Sequence, residues 1–531
     1  MAAIPYVSVQ PNYAEVFSDV SSSTVAGEKV WLSYYAANAP SASVHIKLPL
    51  VPTKDDGKDA ETQGAVRLGD VESSGGPTQG LKINRVAASW LDLELAQSEQ
   101  GDKTQSRSAR TLRSSIELDS AMQVRFAKRS LTRFLPTLAT SKVNDNYTNY
   151  PSIDAFDLSL GSADDERDLF VAGGAEGALY TGRLAGQFDA DEARTAALET
   201  LTDDERHILS GEAPNPEESK WDLEARIRLH VNAAKARANK KTALKGHVGD
   251  VRFAKFFPSN RVVLSTSSDL TCRIWDAFTG ENPRTLQGHK RAVLGAGIIG
   301  RGRTLLTAGA DGSVRLWDVA APKQTRLFGS DRYSAVNCIA LPAMDSADAE
   351  QTTFVAGLAS GSWQMFDLRT ATASLTQTKY AFPPGEAPSA ADTWTQASTA
   401  GITAIDTADT TVVTATTNGI VSVWDTRALS SAQDASTDPT QAPRGLLTSW
   451  RRNNAEITSL KIAPPTRAGD DLDVLVATLD GLPYRAGVAG NAPPQVRHEY
   501  AGWDCDPTSW IGLDAHGRTV IAGAEGSVRR Y

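Results

Sequence analysis

Two sets of side chains in this sequence have the types from which an acyl-transfer relay is built. His247, Ser265 and Asp269 make one, and His289, Thr307 and Asp311 the other; each aspartate is followed six residues later by a tryptophan, Trp275 or Trp317. A hydroxyl activated by an imidazole that a carboxylate orients is catalytic only when the nucleophile is exposed and faces an oxyanion site. Here the hydroxyl sits inside a strand-like run, where an indole N–H can share its oxygen. The set also recurs in two consecutive stretches, whereas a catalytic site is normally single. The residues therefore read as two hydrogen-bonded tethers, whose donors and acceptors would be costly if buried unpaired. The chain carries no metal-ligand cluster, phosphate loop or isolated acid pair, so neither enzyme activity, cofactor nor metal is expected.

The elements that position these residues are repeats. GHVGDVRFAKFFPSNRVVLSTSSDLTCRIWD (Gly246 to Asp276) and GHKRAVLGAGIIGRGRTLLTAGADGSVRLWD (Gly288 to Asp318) each open on Gly-His and close on Trp-Asp. That is the signature of a WD40 propeller blade. Used as a ruler, the pair finds tight turns between apolar runs at Glu176-Gly177, Asp269-Leu270, Asp311-Gly312, Ser360-Gly361, Asn418-Gly419, Asp480-Gly481 and Glu525-Gly526. Small or turn-forming residues between short β-rich runs are what a hairpin needs. Seven hairpins predict an all-β, seven-bladed WD40 β-propeller over residues 121–531. The sixth copy is the weakest, because Pro483 would delete a ladder bond from its second run.

The chain stops at the third strand of the seventh blade. An open edge there would be a pairing hazard, so a segment between Gln123 and Asn146 is expected to supply the outer strand and close the ring. Upstream, KVWLSYYA (Lys29 to Ala36), SVHIKLPL (Ser43 to Leu50) and GLKINRVAASWLDLEL (Gly80 to Leu95) predict an N-terminal β-rich domain over 1–120. A charged insertion at about 185–241, acidic then basic and rich in helix formers, reads as a solvated helical hairpin or a partner arm. Stretches at 370–400 and 428–445 have loop composition.

A formal charge of −9 over 531 residues disfavours nucleic acid and favours basic protein partners. No apolar stretch reaches membrane-span length, and the N-terminus lacks the pattern of a secretory signal. Three scattered cysteines, Cys272, Cys338 and Cys505, argue for a reducing compartment; the first two fall at core strand positions. A monomer in the cytoplasm and nucleus is expected.

Three segments together resemble the proteasomal ATPase-associated factor family, WD40 assembly chaperones of the proteasome's 19S regulatory particle. They are GHVGDVRFAKFFPSNRVVLS, GHKRAVLGAGIIGRGRTLLTAGADGSVRLWD and the terminal GWDCDPTSW…AGAEGSVRRY. The resemblance covers Gly246 to Asp318 and Gly502 to Tyr531. It implies a non-enzymatic protein that holds the basic C-terminal domain of one ATPase-ring subunit during assembly of the base. Trp503, Asp504 and Asp506 would then lie on the loop entering blade seven, with Asp250 and Arg291 in the matching loops of blades two and three, all facing the partner. The competing reading for the two aspartates is loop capping. A second binding reading rests on FDLR (Phe366 to Arg369) and WDTR (Trp424 to Arg427), which resemble the box by which WD40 substrate receptors dock on a cullin-4 ligase adaptor.

Overall fold

The computed structural model describes residues 2–10, 12–21, 25, 27–35, 42–49, 71–73, 81–87, 90–95, 122–126, 130–133, 153–159, 169–183, 223–228, 241–342, 352–370, 373–377, 400–428, 445–466, 470–490, 494–503, 506–523 and 526–531. Seven four-stranded antiparallel units follow one another along the chain. Blade one runs Ile153–Leu158, Leu169–Gly174, Leu179–Arg183, Lys241–Ala243; blade two, Val251–Phe256, Val262–Ser267, Thr271–Asp276, Arg284–Gln287. Blade three is Val293–Ile299, Thr304–Gly309, Ser313–Asp318, Lys323–Gly329, and blade four Val336–Ala340, Thr353–Leu358, Trp363–Asp367, Ala373–Gln377. The outer strand of blade four thus comes from the stretch expected to be loop. Blade five is Ile402–Ala408, Thr411–Thr416, Ile420–Asp425, Leu446–Arg451, and blade six Ile457–Ala463, Leu472–Thr478, Tyr484–Val488, Gln495–Ala501. In blade six the third strand begins immediately after Pro483, which costs it one position rather than the strand. Blade seven is Thr508–Leu513, Thr519–Gly523 and Ser527–Arg530, completed by Ser130–Arg133.

That last strand pairs antiparallel with Ser527–Arg530, with Thr132 opposite Val528. The ring is therefore closed by a segment from its N-terminal side, inside the window expected from the missing edge. Neighbouring blades are stitched by polar side chains of their inner strands. The Asp157 carboxylate accepts the Phe256 amide at 2.8 Å, that of Asp406 accepts the Ile462 amide at 2.8 Å, and the Thr403 hydroxyl donates to the Ile457 carbonyl at 2.6 Å.

Residues ahead of the ring do not form a detached body. Tyr6–Val9, Gly27–Tyr35, Ala42–Pro49 and Val71–Ser73 make a four-stranded sheet, and the helix Tyr13–Ser21 buries Tyr13, Val16 and Val20 beside it. One hydrophobic core joins Val7, Val30, Leu32 and Leu48 of this unit to Val413, Val423, Trp450, Val476 and Tyr484 of blades five and six. Ala2–Ala3 adds a parallel strand to blade five. Met122–Phe126 adds another to blade six, extended by Trp90–Leu95 and Leu81–Ala87. Strands from either side of residue 120 thus share one sheet. Tyr6 stacks on Tyr35 at 4.7 Å and lies beneath the Arg452 guanidinium, which also pairs with buried Glu499.

Of the 185–241 insertion, only 223–228 and 241 are described; the former is helical, with Leu223 and Ile227 buried. The rest of that insertion, and the loop-like 428–445 apart from Ala428 and Gly445, lie outside the described residues. Among the described residues no helix is long and apolar enough to cross a membrane.

Candidate functional site: the entry-loop face

Each blade is entered by a loop from the preceding outer strand. That loop lies on the same end of the ring as the turn between the blade's second and third strands. In blade two the two are tied together side chain by side chain. His247 Nδ1 meets Asp269 at 2.8 Å, His247 Nε2 meets Ser265 Oγ at 2.8 Å, and Trp275 Nε1–H donates to the same Oγ at 2.7 Å. A carboxylate only accepts, so Nδ1 carries the proton, and neutral Nε2 accepts from the Ser265 hydroxyl. Blade three repeats the arrangement, with His289 Nε2 to Thr307 at 2.8 Å, His289 Nδ1 to Asp311 at 3.1 Å and Trp317 Nε1–H to Thr307 at 2.8 Å.

Charge follows the same logic. Burial lowers the pKa of both histidines, only partly offset by the carboxylates. Burial works against the Asp269 carboxylate too, but hydrogen bonds from Thr271 and His247 outweigh it and hold its pKa at about 2. The imidazole is thus a neutral bridge at ordinary pH. Ser265 and Thr307 are wholly buried, and an indole occupies each hydroxyl where a nucleophile would need a substrate. The geometry is that of a tether. Asp269 and Asp311 also accept the Val248 and Lys290 amides at 3.2 and 2.9 Å, which fixes the entry-loop backbone and leaves its side chains to solvent.

Blade seven achieves the same end with different chemistry, and this corrects the place expected for Trp503. It was assigned to a partner surface, yet it is 1% exposed and packs with Leu475, Ala477, Tyr500, Ile511 and Ile521. Gly502-Trp503 stands where Gly246-His247 and Gly288-His289 stand. A Cβ on any of the three glycines would come within about 3 Å of the arginine on its blade's third strand, Arg273, Arg315 or Arg529. Ile521 faces Arg529 across the hairpin as Thr307 faces Arg315. With no hydroxyl to bond, an indole replaces the imidazole and fills the space, its Nε1 buried without a hydrogen-bond partner and its face covered by Arg529 at 4.4 Å. The signal was present in the sequence, as a glycine before Trp503 and an isoleucine where the tethers need a hydroxyl. Blade five keeps half a tether, Trp424 Nε1–H to Thr414 at 3.1 Å.

The other expected contacts scatter. Asp506 is half-buried, and its amide closes the loop onto the Trp503 carbonyl at 2.6 Å. Asp504 lies outside the described residues. Asp250 is half-buried, accepts the Glu176 amide at 3.2 Å and pairs with Arg252 at 3.0 Å, so it links blades one and two. Arg291 is exposed on the loop entering blade three. Sequence reasoning passed over the large apolar side chains on this same face: Val248 is 84% exposed and Tyr333 79%. Cys272 is buried in its strand and Cys338 half-buried, with both thiols pushed up by burial. Among the described residues no group of three or more His, Cys, Asp or Glu is placed to hold a metal ion. On the opposite end of the ring, Arg369 and Arg427 are exposed, each folded back onto the aspartate two residues before it, at 2.7 and 3.0 Å.

Seven closed blades and the Gly-His to Trp-Asp tethers define a WD-repeat β-propeller, a fold that typically serves as a non-catalytic scaffold for protein interactions. The sequence profile described as WD domain, G-beta repeat matches residues 238–276 and 280–318, which hold the first three strands of blades two and three with the loops entering them. A stretch of 46 residues is 44% identical to the 26S proteasome regulatory subunit RPN14 of Saccharomyces cerevisiae. It covers 9% of this chain and 11% of that protein.

Proposed function

We propose that this chain is an assembly chaperone of the proteasome regulatory particle, akin to the proteasomal ATPase-associated factor family, and that it holds the C-terminal domain of one ATPase-ring subunit. The observation that carries the reading is the local identity with a proteasome regulatory subunit; the family wording of Gly246 to Asp318 and Gly502 to Tyr531 supports it. The entry-loop face is the site, because the tethers make it a fixed platform, and loops held on a rigid scaffold are where binding residues concentrate. An overall charge of −9 speeds encounter with a basic client and makes it salt-sensitive. On this reading the protein works in the cytoplasm and nucleus.

The test is a pull-down of the six ATPase-ring subunits, expressed singly, with the full chain as bait. Retention of one, weakening as salt rises, is expected; retention of none by a folded chain refutes the proposal. A second reading, docking on a cullin-4 ligase adaptor, draws on the exposed Arg369 and Arg427 on the opposite face. It predicts that the adaptor is retained instead, and that the paired change Arg369→Ala and Arg427→Ala abolishes retention.

A further inference from the structure

The turn between the second and third strands ends on a residue in the left-handed region in all seven blades. Six use glycine, at φ between 73° and 85° for Gly177, Gly312, Gly361, Gly419, Gly481 and Gly526. Blade two uses Leu270, at φ 70° and 41% exposed. An L side chain is strained in that region, a branched one more than most, and such strain is found where function keeps it. Val248 stands beside it, its amide held by the aspartate of the same turn. The loop entering blade four repeats the theme. Arg332 and Tyr333 are both left-handed, at φ 50° and 53°, and the Tyr333 backbone lies over the turn of blade three, close enough that a Cβ on Gly312 would collide with it. Strained backbone thus presents large apolar side chains to solvent from loops of blades two and four.

Their surroundings invert the charge of the whole molecule. Lys245, Lys290, Arg291 and Arg332 are exposed on the loops entering blades two to four, against one exposed carboxylate there, Asp331. Asp250 is committed to Arg252, and Asp269 and Asp311 are committed within the tethers. Glu176, exposed on the blade-one turn, marks the rim.

We propose that the entry loops of blades two to four dock an acidic segment of a partner protein that carries large apolar side chains. Apolar side chains of the segment pack against Val248 and Leu270 at blade two or against Tyr333 at blade four, while its carboxylates meet the lysines and arginines around them. Exposed apolar groups rimmed by charge are the make-up of such a contact. This surface stands beside the proposed chaperone role and does not share its basic client.

The test uses the full chain and three fluorescent peptides of equal length, read by anisotropy. One alternates Glu with Leu and Phe, a second replaces Glu by Lys, and a third replaces the apolar residues by Ser. Only the first should bind, and less well as salt rises. Leu270→Gly should weaken its binding about tenfold, as loss of an interface anchor does, and should raise Tm, because glycine relieves the turn. Lys290→Glu with Arg291→Glu should weaken binding at least as much and leave Tm near that of the parent. Equal binding of the first and third peptides, or unchanged binding in both variants, overturns the proposal. A chain that retains an ATPase-ring subunit yet ignores the acidic peptide loses this surface alone. One that binds the peptide but retains no ATPase subunit keeps it, and loses the chaperone reading.

Discussion

Blades two and three and blade seven solve one problem in two ways. All three must pin an entry loop to a hairpin at the same place. The first two use an imidazole bridging a carboxylate and a buried hydroxyl; the last uses an indole against isoleucine. The polar solution needs every partner, since a buried donor or acceptor left alone costs more than the bond contributes. The indole one rests on volume, since Trp503 Nε1 is buried with no hydrogen-bond partner, and its loss opens a cavity. Replacement therefore has to be concerted: where the hydroxyl becomes Ile521, the histidine becomes Trp503. The difference also separates the blades by pH, because only the histidine version contains an imidazole, whose pKa burial lowers.

These differences can be broken experimentally. The largest effect is expected from Trp503→Ala, which empties a packed site and should cost about 3–5 kcal/mol in urea denaturation. A loss under about 1 kcal/mol would return Trp503 to the surface. Trp503→His alone should be strongly destabilising, because the imidazole meets Ile521; adding Ile521→Thr should restore part of the loss. Absence of any recovery would argue against the equivalence of the two sites. His247→Ala should cost about 1–3 kcal/mol by leaving Ser265 and Asp269 short of a partner, with partner binding retained by the folded fraction. Full stability with loss of all binding would give the histidine a direct role.

The smallest effect is the pH slope. His247 and His289 have lowered pKa values in the fold, so the unfolded chain binds more protons as pH drops below about 6.5. Stability is complete above that value and falls as pH drops toward the folded pKa. His498, held near 3 by burial and then by Arg125, Arg485 and Arg497, acts in the same direction. His289→Gln should flatten the slope between pH 6.5 and 5 on this linkage; Trp503→Ala should leave it unchanged. A steeper slope in His289→Gln would contradict the neutral-imidazole assignment.

The ring was legible because its signals are local. A turn residue, an alternating run and a Trp-Asp close lie within one blade, and the missing edge of blade seven pointed to Ser130–Arg133. The N-terminal unit was less so. Its strands show in KVWLSYYA, but their attachment to blades five and six depends on pairing partners hundreds of residues away, which no local pattern encodes. The helix Tyr13–Ser21 was missed for a related reason, because Val16 and Val20 are β-branched and its burial comes from tertiary packing. Trp503 was misread because an aromatic flanked by acids looks like an interface anchor when it is not set against the repeat. The exposed Leu270 was visible in principle, as one leucine where six blades carry glycine.

On the proposed reading, the propeller meets its client at the entry-loop face. Hydrogen exchange of the full chain, alone and with whichever ATPase-ring subunit it retains, tests it most directly. Protection is predicted at entry loops outside blades two to four, 501–507 among them, with the opposite end of the ring unchanged. Protection confined to Asp367–Arg369 and Asp425–Arg427, with the entry loops exchanging as in the free chain, would contradict it.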